Sequence, residues 1–151
     1  SFAVMYANNE KLWTFSGFQD VLDGKRRIGV IKDYDYSEEF LKFSVKHRKR
    51  LYYGVGIDPL RELIRLLSLT KLDAIIEDEP VFLYKVQQLG YPSGKFVAIG
   101  STGVPLPLYV AFNDPRMSAI LDLGVQSLRE SGELGKILGK YNLSLETLKP
   151  R

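Results

Sequence analysis

The chain has 151 residues, and 45% of them are hydrophobic, which is enough for a packed core and argues against a disordered chain. It has no cysteine and one histidine, so disulfides and cysteine metal sites are excluded, and little material remains for a zinc site or a serine–histidine couple. The formal charge of +3 is too weak to indicate nucleic-acid binding, and no apolar run approaches the roughly 20 residues of a membrane helix.

Apolar and turn-forming residues alternate along the chain in a way that predicts strands separated by helices. Alternating or continuous apolar runs predict strands at 2–6, 27–31, 51–55, 72–76, 96–99 and 108–112. Helical spacing of apolar residues predicts helices at 17–22, 36–48, 59–67, 80–89, 115–131 and 133–140. Asp35 followed by Glu38 predicts reciprocal capping at the start of the second helix. Strands alternating with helices imply βαβ units, so we predict an α/β fold with a mostly parallel sheet flanked by helices.

Four segments carry a further signal through their order and spacing. They are Phe15–Val30, Leu72–Pro80 with the run Leu-Asp-Ala-Ile-Ile-Glu-Asp-Glu-Pro, Val97–Phe112, and the ending Gly132-Glu-Leu-Gly-Lys-Ile-Leu-Gly-Lys-Tyr141. Together they resemble the family 3 extracellular solute-binding proteins, the polar-amino-acid-type receptors of ABC importers. The resemblance covers about residues 10–142 and implies a periplasmic-binding-protein fold of type 2.

Members of that family catalyse no reaction, and they close two lobes around a small molecule. The resemblance therefore implies a non-enzyme that binds a small polar solute, an amino acid or a related amine-bearing compound, by hinge closure. It also implies delivery of that solute to an ABC transporter permease, with no cofactor and no metal. The sequence shows no signal-peptide pattern, so a periplasmic location rests on the resemblance.

The resemblance also divides the chain. Residues 1–13 correspond to a residual strand of lobe one with the first hinge crossing, and residues 14–103 to lobe two. Residues 104–151 correspond to the second crossing and the C-terminal strand and helices of lobe one. Most of the N-terminal lobe is then missing, and the lobe-one pieces are expected to leave apolar surface uncovered. Such a surface favours binding of the missing lobe or self-association.

Asp78 matches the family's acidic residue after the third strand of lobe two, which takes the α-amino group of the ligand. An ionised carboxylate at the carboxyl end of a strand suits an ammonium group in a closed cleft of low dielectric. The alternative is that Asp78 only caps the helix that begins near Pro80.

The loop Asp33-Tyr-Asp-Tyr-Ser37 lies where relatives bind the ligand carboxylate with N–H groups and hydroxyls at a helix N-terminus. Here Asp33 replaces glycine and Asp35 replaces a hydroxyl residue, and two carboxylates repel an anion. They favour a cationic or amine-bearing ligand, with Tyr34 or Tyr36 supplying an aromatic face. The alternative is that the loop, up to Ser37, is only a solvated helix cap.

Two further segments invite a functional reading beside a plainer one. Ser101 and Thr102 lie on the returning crossing and can offer hydroxyls to the cleft, although ordinary hinge chemistry beside Gly100 is the interpretation we favour. The run Lys46–Arg50 is basic, but positive charge at the end of a helix is usually solvated and suits the helix dipole. We therefore expect no nucleic-acid binding from it.

Two other functions are open on the same fold. The first is a ligand-binding sensor domain of a membrane signalling protein, which would share the site but contact a signalling helix. The second is an enzyme such as a cyclohexadienyl dehydratase or the receptor-like part of a lytic transglycosylase. Glu77, Asp78 and Glu79 are consecutive, which is poor geometry for a two-carboxylate hydrolase or a metal cage.

Overall fold

The computed structural model describes residues 3–102 and 110–141. The chain forms two compact units, one of Phe2–Leu106 and one of Pro107–Arg151 together with Ser1. The first unit is a sheet covered by helices on both faces, and the described part of the second unit is helical.

The described part of the first unit contains the strands β1 (Ala3–Asn8), β2 (Ile28–Ile31), β3 (Leu51–Gly54), β4 (Ala74–Asp78) and β5 (Phe96–Ser101). Their order across the sheet is β3-β2-β4-β1-β5. β2 pairs in parallel with β3 and β4, whereas β1 pairs antiparallel with β4 and β5. All strands except β1 therefore run in one direction, and the prediction of a mostly parallel sheet is confirmed.

Strand β1 lies inside this sheet and not in a separate unit. Met5 enters the apolar cluster on one face of the sheet. The neighbouring Tyr6 enters the cluster on the other face, where its ring stacks on Phe82 at a centroid distance of 3.9 Å. A strand that is buried on both faces needs cover on both, which only the interior of the sheet provides. Ala3–Asn8 thus share a unit with residues 14–102, and the division of the chain into parts of two lobes stays a prediction.

The described helices are α1 (Phe18–Asp23), α2 (Glu38–Lys46), α3 (Pro59–Ser68), α4 (Glu79–Gln88), α5 (Pro115–Glu130) and α6 (Glu133–Gly139). The N-cap of α2 is Ser37, whose Oγ accepts a hydrogen bond from the N–H of Phe40 at 3.3 Å. The prediction that Asp35 caps this helix is therefore wrong. The extended backbone that an N-cap needs occurs two residues later, at Ser37, directly before the first helical residue.

Two apolar clusters fill the two faces of the sheet and fix the strand ends. The cluster under α1 and α2 contains Phe18, Val21, Phe40, Phe43, Val30 and Ile76 among others. The cluster under α3 and α4 contains Leu63, Ile64, Leu67, Phe82, Ile31 and Ile75 among others. Successive residues of β4 enter opposite clusters, as the alternation of side chains along a strand requires. The loops that leave this sheet are consequently held on a rigid base.

The second unit exposes its apolar residues. Neither α5 nor α6 contains a buried residue, and Ile120 and Leu123 of α5 are 58% and 68% exposed. Both helices lie where the sequence predicts them. The strand predicted at 108–112 falls partly outside the described residues, and the described residues 110–112 form no strand. Within the part of the chain that the structure describes, no helix has the length and apolar content to cross a membrane.

Candidate functional site

The carboxyl ends of β2, β4 and β5 meet at one edge of the sheet, because β1 is antiparallel to both β4 and β5. We call this edge the carboxyl edge. β2 delivers the loop 33–37 to it, β4 delivers Asp78, and β5 delivers Ser101 and Thr102. In open sheets built from βαβ units, ligands bind at the carboxyl ends of the strands. The predicted site residues therefore lie at an edge of the described sheet where folds of this class commonly bind ligands.

Ala3 connects two of these groups directly. It pairs with Asp78 on one side, and its carbonyl oxygen accepts hydrogen bonds from the hydroxyls of Ser101 at 3.3 Å and Thr102 at 3.2 Å. In the third group, Tyr34 lies within electrostatic reach of the end of β4: burial, and then the charges of Glu77 and Asp78, raise the pKa of its phenol. The structure thus brings the loop 33–37 to the end of β4.

Asp78 occupies the N-cap position of α4 without capping it. Its backbone is extended and its side chain makes no capping hydrogen bond. The half-exposed carboxylate consequently stays available at the carboxyl edge, next to the positive end of the helix dipole. The alternative that Asp78 only caps α4 therefore lacks the hydrogen bond that it requires.

Within the loop 33–37, the two tyrosines have different surroundings. Tyr36 is 8% exposed, packs in the core, and its hydroxyl accepts a hydrogen bond from the N–H of Ile31 at 2.8 Å and donates one to the Ile31 carbonyl. Burial raises the pKa of this phenol far above its usual value. Tyr36 therefore holds the loop on β2 and cannot offer an open aromatic face. Tyr34 is 52% exposed, and its ring is the one that a ligand can reach.

The other residues of the loop 33–37 are the aspartates and Ser37. Asp33 has a left-handed backbone, with φ of 64°, which glycine adopts freely and aspartate tolerates better than most residues. This conformation accounts for an aspartate at the position where the resembling family has glycine. Asp35 is exposed, whereas the Ser37 hydroxyl oxygen caps α2 by accepting from the N–H of Phe40. Asp33 and Asp35 thus leave two carboxylates at the carboxyl edge, which favours positive charge in a ligand.

The residues on β5 have a structural task. Thr102 is 7% exposed, and both its N–H and its hydroxyl donate to the Ala3 carbonyl, at 3.1 and 3.2 Å. These bonds fasten the end of β5 to β1 and support the plainer interpretation of this residue. Ser101 is exposed, and its hydroxyl also donates to the Ala3 carbonyl.

Glu77 is a residue of this edge to which the sequence analysis gave no role. It is 5% exposed, its Oε1 accepts a hydrogen bond from the N–H of Asp78 at 2.9 Å, and Oε2 is one of the buried oxygens without a hydrogen-bond partner among the described residues. Burial, with a further contribution from the Asp78 charge, raises the pKa of this carboxyl group to about 7. In the sequence, Glu77 stands two residues after Ile75, so alternation along β4 predicts that it points to the same face, which α3 and α4 cover.

Taken together, the carboxyl edge is acidic. Asp33, Asp35 and Asp78 lie at its surface and Glu77 lies beneath them, with Tyr34 as the exposed aromatic ring. Among the described residues no group of three or more potential metal ligands lies close enough to hold an ion. The arrangement can bind a cation through carboxylates and a ring face.

No protein-family profile and no curated protein matches this sequence. Solved structures match its fold. One, from a study of glutathione import in Gram-positive bacteria via GshT and the cystine ABC importer TcyBC of Streptococcus mutans, has a TM-score of 0.68 at 18% identity, over 94% of this chain and 59% of the other. An ancestral arginine-binding protein bound to arginine gives 0.63 at 18%, over 93% and 61%. A histidine kinase sensor domain with similarity to periplasmic binding proteins gives 0.60 at 16%, over 95% and 60%.

Because the sequence identities are low, these structural matches show the fold and nothing further. The matched structures include substrate-binding domains of amino-acid ABC transporters, and the predicted type 2 periplasmic-binding-protein fold is confirmed. The chain spans about 60% of the length of the first of the structures it matches. Those of the matched proteins that are described by what they do are binding proteins, substrate-binding domains or a sensor domain.

Proposed function

We propose that this chain binds a small solute that carries an amino group, such as an amino acid or a related amine, at the carboxyl edge of its sheet. The observation that carries the proposal is that Tyr34 lies within electrostatic reach of Asp78, on a loop that also contains Asp33 and Asp35. The fold is one that an ancestral arginine-binding protein shares. The Asp78 carboxylate would accept hydrogen bonds from the ammonium group, and the Tyr34 ring would cover it.

The same residues argue against capture of an anion. In the family that this chain resembles, the N–H groups at the start of the helix after β2 bind the ligand carboxylate. In this chain Ser37 caps that helix, and Asp33 and Asp35 stand before it. A ligand carboxylate would meet two like charges there, so the second functional group of the solute is neutral or cationic.

The context we propose is transport. A receptor of this fold delivers its solute to the permease of an ABC importer outside the cytoplasm, after hinge closure that both lobes drive through contacts with the ligand. It performs no chemical reaction and needs no cofactor. The surrounding lobe contributes part of the site, so this chain alone should bind at millimolar strength or weaker, which corresponds to about 4 kcal/mol or less.

A sensor domain is the second candidate, and the matched histidine kinase sensor domain favours it. It would bind its ligand at the same site, but closure of the two lobes would act on a signalling helix and not on a permease. The sequence of the full-length gene product would distinguish the two candidates, because a sensor carries a membrane helix and cytoplasmic signalling domains. A turnover assay with prephenate and arogenate tests the dehydratase alternative, for which we expect no product.

The solute proposal is tested by titrating the ¹⁵N-labelled chain with basic amino acids, neutral amino acids, diamines and dicarboxylates. We expect amine-bearing solutes to shift the amide signals of Asp78 and Tyr34, and Asp78→Asn to abolish those shifts. Glu79→Gln is the matched control, because it removes a charge from the adjacent residue at the first position of α4. A response to dicarboxylates only, or sub-micromolar affinity of this chain alone, would contradict the proposal.

A further inference from the structure

A second charged surface lies at the opposite edge of the sheet. β2 and β3 are parallel and Ile28 pairs with Leu51, so the segments that precede these two strands lie side by side. Both segments are rich in cations, and Arg50 Nη1 donates a hydrogen bond to the Lys25 carbonyl at 2.8 Å across the gap. We call this surface the basic edge; its members are Lys25, Arg26, Arg27, Lys46, Arg48, Lys49 and Arg50.

The charge of the basic edge is largely uncompensated. Arg26 lies over the Trp13 ring at 4.2 Å from its centroid. The side chains of the other members make no ion pair with any residue in the described ranges 3–102 and 110–141. Three acids lie near these cations. The Asp73 carboxylate accepts from Lys11 Nζ at 2.6 Å and from the N–H of Arg27 at 2.8 Å. Asp23, two residues before Lys25, accepts from Gln19 Nε2, and Asp20, whose carbonyl accepts from Arg26 Nη1, uses its carboxylate to accept from the N–H of Ser16. A partner of opposite charge would therefore find free cations here.

Exposed aliphatic side chains stand next to these cations. α2 runs from the carboxyl edge to the basic edge, and Leu41 and Val45, one helical turn apart, are 49% and 84% exposed on it. A shallow depression is lined by residues 45–50. Aliphatic groups gain nothing from the phosphates of a nucleic acid, but they gain from the acyl boundary of a lipid layer. His47, the aromatic ring of this run, packs 5.1 Å from Phe43 instead of standing free for base stacking.

We propose that the basic edge, together with Leu41 and Val45, binds the anionic surface of a lipid membrane. The lysine and arginine side chains contact lipid phosphates, and Val45 enters the headgroup boundary. Because the carboxyl edge lies at the other ends of the same strands, the candidate solute site faces away from the membrane and stays open. The inference does not depend on what that site binds.

The test is co-sedimentation with unilamellar vesicles, without any solute. We expect binding to phosphatidylcholine vesicles that contain one third phosphatidylglycerol, little binding to pure phosphatidylcholine, and weaker binding as salt screens the charges. The triple variant Lys46→Glu, Arg48→Glu, Lys49→Glu should lower the partition coefficient at least about a hundredfold. Its control, Arg61→Glu, Arg129→Glu, Lys140→Glu, makes the same change in net charge at exposed residues that are not members of the basic edge.

Val45→Ser separates a membrane from any other polyanion. It keeps the charge and should lower vesicle binding about fivefold, since one aliphatic side chain loses its buried environment. Circular dichroism establishes that each variant is folded; if the triple variant is not, Lys49→Glu is compared with Arg129→Glu. The proposal is overturned if the control variants lose as much binding as the basic-edge variants. It is overturned equally if Val45→Ser binds vesicles like the parent chain and a DNA duplex binds as tightly as the vesicles.

Discussion

The Oε1 atom of Glu77 accepts a hydrogen bond from the N–H of Asp78 at 2.9 Å. These two residues end the central strand β4, and their carboxyl groups have opposite environments. Glu77 is buried, while Asp78 is half-exposed at the carboxyl edge. Burial makes the charged form of Glu77 costly, and the neighbouring charge of Asp78 adds to that cost. The end of β4 therefore carries a carboxyl group that takes up a proton near neutral pH.

The titration of Glu77 makes stability depend on pH. Its pKa rises from 4.5 to about 7 on folding, so between these values the folded chain binds more protons than the unfolded chain. The free energy of unfolding should fall as the pH rises through this window, by roughly 3 kcal/mol in all. The contribution is complete below pH 4.5 and lost above about pH 7. Hydrogen bonds from Lys42 and Arg65 lower the pKa of Glu38 and Glu62, so those carboxyls act at more acid pH.

Urea unfolding of the parent chain and of Glu77→Gln at a series of pH values measures this effect. The variant should be more stable than the parent above pH 7 and should lose the slope between pH 4.5 and 7, because glutamine stays neutral. Glu79→Gln, two positions further along the chain at the first residue of α4, should keep the slope. Parallel curves for the parent and Glu77→Gln would show that Glu77 does not titrate in this window.

The two tyrosines of the site loop should separate stability from binding. Tyr36→Phe removes a buried hydroxyl that both accepts from and donates to Ile31, so it should lower the free energy of unfolding by about 1–3 kcal/mol. Tyr34→Phe removes an exposed hydroxyl and should change stability by less than about 0.5 kcal/mol. Tyr34→Ala should weaken any response to amine-bearing solutes, because it deletes the exposed ring. Equal stabilities of the two phenylalanine variants would refute the division of roles.

Many elements of this fold can be predicted from the sequence, because the patterns that indicate them lie within each segment. The leucine spacing of α3, its proline start and the apolar run of β2 each report on their own segment. The position of β1 is different. Its alternating residues predict a strand, but its place in the sheet depends on pairing with β4 and β5, in which Met5 lies opposite Ile76 and Gly100. No local pattern contains that information.

The site shows the same limit. Asp78 and the loop 33–37 are recognisable through resemblance, and parallel strands imply that their ends meet. Which tyrosine is buried, and that Glu77 is enclosed, follow from how the loop folds back on Ile31 and how β4 is covered. Both depend on tertiary packing that one-dimensional spacing does not encode.

Gly100 is expected to tolerate no side chain. A Cβ at this position would lie 2.2 Å from the carbonyl oxygen of Phe15, and backbone cannot move aside as a flexible side chain can. The N–H of Phe15 donates to the Ile99 carbonyl, so the clash would push apart two hydrogen-bonded segments. Gly100→Ala should lower the free energy of unfolding by about 1–3 kcal/mol. Gly124→Ala, in the open on α5, should be neutral or stabilising by up to about 1 kcal/mol, and equal losses in both variants would disprove the close approach.

The apolar residues of α5 should make the chain associate with itself when no other lobe is supplied. Helix α5 buries none of its own residues, and exposed apolar area of this kind favours contact with another surface. We expect light scattering to report a mass above that of one chain, and Ile120→Lys with Leu123→Lys to restore the monomer. Ser118→Lys with Ser127→Lys adds the same charge at exposed polar positions of α5 and should leave the association intact. A monodisperse monomer of the parent chain at high concentration would mean that these apolar residues are satisfied within the chain.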